Sequence, residues 1–242
     1  MPARGYSAPV HRLADLAVGA LAIASLAAGT ALIGSARAMT QRFLYISELG
    51  AQYMHSATRF QLGFLLVIVG ILLVAVAVRD VRTTLPVLAR WTPAASLVVA
   101  GALFLVAAAV PCSPGCPSLL VDAEPRDWVH VVAAVLAFVA GCVAMLQFAT
   151  ARDRWVARLS TAGGLAVGAI AATGGIISLA GGNTDFGSTL EYVAAGLGIL
   201  WMMAVVVVHV VPARPASAVP TAAAVADALS APAARGARSP AR

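Results

Sequence analysis

Six stretches of the chain read as continuous apolar runs: 13–34, 60–78, 93–110, 129–151, 159–180 and 192–211, interrupted by a single charge, Asp15, near the start of the first. Each is close to the roughly 20 residues that a helix needs to cross a hydrocarbon core of about 30 Å. None shows the two-residue alternation of a barrel strand, so the pattern predicts helices. The expected fold is all-α, a polytopic membrane protein built as a six-transmembrane-helix bundle. Residues 1–12 and 212–242 flank a membrane domain of 13–211. The final segment is rich in Ala and Pro without a long apolar run, and reads as a solvated, disordered tail.

Composition closes off the other classes. The chain is 61% apolar and only 11% charged, with a mean hydropathy of +0.91. That leaves too little charge to cover a water-facing surface, which excludes a soluble enzyme and a disordered protein alike. The net charge of +6 comes entirely from Arg on the basic side, with no Lys. Those Arg residues are scattered between apolar runs, so they argue for membrane orientation and against nucleic acid.

Counting them sets an expected topology. With a cytoplasmic N-terminus, twelve Arg fall inside and four outside, namely Arg37, Arg42, Arg59 and Arg126. The positive-inside rule then puts both termini in the cytoplasm and the chain in the cell membrane as a multi-pass protein. The first run follows Arg12 and precedes the cleavage-like Ala36-Arg37-Ala38. It is longer than the 7–15 residues or so of a signal-peptide core, so it reads as a retained span.

On this topology the outer face collects the polar chemistry, including Glu48, Asp122, Glu124, Asp127, Asp185 and Glu191. Glu48, Gln52, His55 and Arg59 fall at helical spacing on one face, as a binding wall or as the solvated side of an interfacial helix. Cys112 and Cys116 sit in a short Pro/Gly-rich loop on the oxidising side, a spacing that favours a disulfide. Cys142 reads as a packing residue within its span, and His209 as an interfacial one. Asp127 and His130 are three apart at a helix start. Asp127 there either complements the helix dipole or orients His130 for proton transfer. No cofactor is called for. A zinc site would have to draw on His55, His130 and one carboxylate, and no HExxH motif is present.

The run 159–180 carries Gly164 and Gly168, a GxxxG pair that serves either packing inside the bundle or a homo-oligomer face. No charged residue sits deep within a span, which argues against primary transport.

Three stretches together carry a family resemblance: Ile46-Ser47-Glu48-Leu49-Gly50-Ala51, the Pro-Cys-x-x-Gly-Cys-Pro loop, and Asp127 with His130. In combination they resemble the bacterial membrane family called domain of unknown function 998, over about residues 13–211. That family is similar to the six-span Frag/DRAM group, which implies a six-span fold and a theme of lipid handling without naming a reaction. Two function classes follow. One is a protein that binds a lipid-like molecule at an outward-facing polar pocket, with the bilayer as its partner. The other is a membrane-embedded hydrolase or transferase on such a substrate, using Asp127, His130, His55 and Glu48.

Overall fold

In the computed structural model, residues 9–42, 44–84, 91–117, 123–151, 153–180 and 184–210 are described. The expected tail 212–242, residues 181–183 and Asp122 lie outside them. Six α-helices carry these residues: α1 (Pro9–Ala38), α2 (Ala57–Ala77), α3 (Pro93–Ala109), α4 (Pro125–Ala149), α5 (Arg154–Leu179) and α6 (Thr184–Val210). Five are long and apolar enough to cross a membrane. α3 has 17 residues, about 25 Å at 1.5 Å per residue and the lower bound for a span. The bundle is bathed in apolar side chains as well as filled with them: Leu62, Val98, Leu105, Val135, Leu165, Ile176 and Leu200 all face outward. An apolar outside on a helical bundle belongs in lipid. The chain is a polytopic helical membrane protein.

The helices run past the apolar stretches into polar flanks, because caps rather than hydropathy end them. Thr92 accepts from Ala95 N at 3.1 Å ahead of Pro93. Glu124 opens a capping box with Asp127 ahead of Pro125. Asp153 accepts from Trp155 N and Val156 N. α6 begins eight residues before its apolar run, so Glu191 stands on a helix instead of in a loop. At the other terminus Ala36, the first residue of the cleavage-like triplet, lies inside α1 and is fully buried with Leu44, Leu49 and Phe60.

Consecutive helices pack as neighbours, and α6 returns to α1 and α2 to close the bundle. Backbones come close where α1 crosses α2: a Cβ on Gly29 would lie 2.6 Å from Gly63 O, and one on Gly63 would lie 2.8 Å from Gly29 O. In lipid, such backbone proximity replaces the hydrophobic drive between helices. The GxxxG pair of α5 is used within the chain. Gly164 faces Met145 and Gly168 faces Cys142, both on α4.

One end of the bundle gathers the loop 39–56, the loop 110–117 with its two cysteines, and the starts of α4 and α6; we refer to it as the cysteine end. The opposite end is pinned by a closed polar network. Trp91 Nε1 donates to Ser96 Oγ, Ser96 Oγ to Gln147 Oε1, and Gln147 Nε2 back to Trp91 O. Gln147 is fully buried, which such complete satisfaction permits.

Candidate functional site

The cysteine end is built by three interlocking contacts. The loop 39–56 folds over the bundle instead of forming one helix. Ser47–Gly50 is a short 3-10 turn, Tyr53 has φ 66°, and helix resumes only at Ala57. The ring of Phe60 rests on Gly50, where no Cβ would fit. Residues ten apart in a single helix would be about 15 Å apart, so this contact excludes the one-face stripe of Glu48, Gln52, His55 and Arg59. Glu48 Oε2 instead accepts from Tyr45 N at 2.7 Å. Gln52 N donates to Cys112 O at 3.3 Å, and His55 and Arg59 are exposed.

The cysteine loop is the second element. Cys112 and Cys116 have their sulfurs at disulfide distance, 2.09 Å, with Cα atoms 5.2 Å apart. Gly115 takes φ 82° to make the turn, a conformation that costs glycine little. Asp127 is fully buried and ties this loop to α4. It accepts from Ser113 N and Ser113 Oγ, both at 2.7 Å, and from Glu124 N at 3.0 Å. Those contacts satisfy the carboxyl without His130. The pair expected to orient an imidazole is not hydrogen-bonded to itself.

His130 has other partners. Its Nδ1 lies 2.9 Å from both Ala107 O and Val110 O, carbonyls at the C-terminus of α3 that the helix itself leaves without a partner. Carbonyls only accept, so Nδ1 carries the proton and, in the neutral ring, Nε2 is an acceptor. His130, Cys112 and Cys116 place one ligand atom each within 4.8 Å of one another, the only such group among the described residues. His55 is not part of it, and the two sulfurs are spent on each other, which leaves no thiolate for a metal.

The third contact comes from α6. Glu191 Oε2 accepts from Ile46 N at 2.8 Å, across 145 residues of sequence, and so fastens the loop 39–56 to the bundle. Ser47 Oγ lies 3.7 Å from Cys116 Sγ. Glu191, Ser47 and Ser113 were not singled out from sequence as partners of this end. The only signals were the Ser-Glu-Leu-Gly run and a carboxyl beside an apolar stretch.

Beneath this end a cavity of about 210 Å³ opens inside the bundle. Its polar wall is Ser47, His130, Glu191 and Tyr192. The rest is apolar, from Phe64 and Phe104 down to Met145, Val167 and Trp201, apart from Thr30, whose hydroxyl donates to Leu26 O within α1. It follows α6 from Glu191 to Met202, about 16 Å of helix. Gly141, Gly196 and Gly198 line it, and a Cβ at any of the three would meet nothing within 4 Å. Of the residues nominated from sequence for binding, catalysis or a disulfide, His130 alone lines the cavity. Glu48, Gln52, His55, Arg59, Asp127, Cys112 and Cys116 do not.

No curated protein and no solved structure matches the chain. A family model does match, and the stretches that carried the resemblance are the ones that meet at the cysteine end: the Ser47–Gly50 turn, the cysteine loop and the start of α4. The model covers residues 16–208, nearly all of the helical bundle, and the chain belongs to the family described as Protein of unknown function (DUF998).

Proposed function

We propose that this protein binds a single-chain, lipid-like amphipath inside its helical bundle, with the chain along the apolar cavity and the head at the cysteine end. The cavity carries this reading. At about 210 Å³ it is smaller than the 300–1,000 Å³ or so of typical drug-sized pockets. It is also long, and polar at one end only, so a slender amphipath suits it better than a compact polar metabolite. The alternative of a hydrolase or transferase built on Asp127 and His130 has less support, because Asp127 is turned to Ser113. On the Arg distribution we further propose that the cysteine end faces outward from the cell membrane, with both termini in the cytoplasm.

Native mass spectrometry of the protein released from nanodiscs tests the binding. A bound amphipath should survive release from the wild type and be absent from Ala137→Leu, which enlarges a fully buried side chain on the cavity wall. Equal adducts on both proteins would mean that lipid adheres only to the outside.

A further inference from the structure

The polar wall of the cavity is unusual in what it offers. His130 Nδ1 is held by Ala107 O and Val110 O, so the nitrogen left for a ligand is Nε2, an acceptor in the neutral ring. No described residue hydrogen-bonds it. Glu191 uses Oε2 on Ile46 N, and its Oε1 has no described hydrogen-bond partner. Both groups line the cavity. No Arg is among the described residues that line it. Arg37, at this end, donates from Nη1 to Thr40 O and Thr40 Oγ1, each at 3.0 Å, and Arg59 is exposed on α2.

Resting on the binding function proposed above, we infer that the occupant's head is an uncharged hydroxyl that donates to Glu191 or His130, and that phosphate-headed lipids are rejected. A phosphate needs donors or cations, and fork-shaped Arg contacts are its usual partner. Here its oxygens would meet a carboxyl and an imidazole lone pair, and the wall's other polar groups, the hydroxyls of Ser47 and Tyr192, are neutral and bring no cation to balance its charge in a low-dielectric site. A hydroxyl on a long chain meets the same wall with its hydrogen. An ether of the same chain fits the apolar part and leaves the wall unpaired, which costs affinity because buried polar groups then lose their partner.

The test compares three probes with one decyl chain: the alcohol, its methyl ether and its phosphate monoester. Each is titrated into the full-length protein in phosphatidylcholine nanodiscs, with the thermal midpoint as readout, since a ligand that binds only the folded state raises it. The alcohol should bind at least about tenfold more tightly than either of the others. In Glu191→Gln the discrimination against the phosphate ester should shrink, while the wild-type ranking stands independently of how that variant folds. A phosphate ester that binds as well as the alcohol overturns the assignment of the head. An ether equal to the alcohol overturns the donor role. Either result leaves chain binding in place. If no probe shifts the midpoint, chain binding itself fails.

Discussion

Ser113 grips Asp127 twice, donating from its backbone N–H to one carboxyl oxygen and from its hydroxyl to the other, each at 2.7 Å. Glu124 N supplies a third donor at 3.0 Å. The carboxyl is therefore a knot between the cysteine loop and α4. Asp127→Ala strands all three donors in a buried place and should cost on the order of 3 kcal/mol, whereas Ser113→Ala removes one hydroxyl and should cost about 1 kcal/mol. Thermal unfolding of both variants in detergent checks the order. An Asp127→Ala protein as stable as the wild type would contradict this role.

The Gly29–Gly63 crossing predicts an effect that hydropathy cannot foresee. A methyl on Gly29 would fall 2.6 Å from Gly63 O and 2.9 Å from Val67 N, both backbone atoms that cannot swing away. Gly29→Ala should destabilise by about 1–3 kcal/mol through overpacking. Gly175→Ala, where a Cβ would meet nothing within 4 Å, should be close to neutral and serves as the control. Equal midpoints for the two variants would contradict the crossing.

Glu48 gives a pH signature. Burial pushes its carboxyl above the ordinary 4.5, while the Tyr45 N–H and the Arg42 charge pull it back. A folded-state value above the unfolded one stabilises fully below the unfolded value and is lost as pH rises through the folded one. Glu48→Gln keeps an oxygen for Tyr45 N and removes the titration. Its midpoint relative to the wild type should therefore rise as the pH is raised above the ordinary carboxylate range of about 4. A difference that stays flat or falls as the pH rises would show that burial does not penalise the charge.

Orientation is tested with single cysteines in a Cys142→Ala background. Gln41→Cys, on the exposed loop at the cysteine end, should react with an impermeant maleimide in intact cells. Ser217→Cys should react only after lysis. The reverse pattern would invert the topology drawn from Arg counting.

Much of the architecture was legible in the sequence because lipid imposes a length and an apolar composition on every helix that crosses it. The cysteine pair was legible too, since residues four apart need no tertiary partner to meet. The candidate site was not. The spacing of Glu48, Gln52, His55 and Arg59 imitates a helix face, but the chain turns at Tyr53 and brings Phe60 back onto Gly50. Glu191 finds its partner Ile46 across 145 residues, and nothing in the local pattern around either announces the other. Asp127 and His130 have the spacing of a pair, yet each is captured by a loop or helix end that lies outside that spacing.

The central claim is that a chain enters the bundle, and position-resolved photocrosslinking tests it most directly. The probe is a single-chain amphipath with a diazirine at the far end of its chain, irradiated with the protein in nanodiscs and mapped by peptide mass spectrometry. Labelling should fall on Met145, Trp201 and Met202, which line the deep part of the cavity, and should disappear when excess unlabelled amphipath is added. Labelling confined to outward-facing residues such as Leu62, Leu105 and Ile176, and unaffected by the competitor, would contradict the claim.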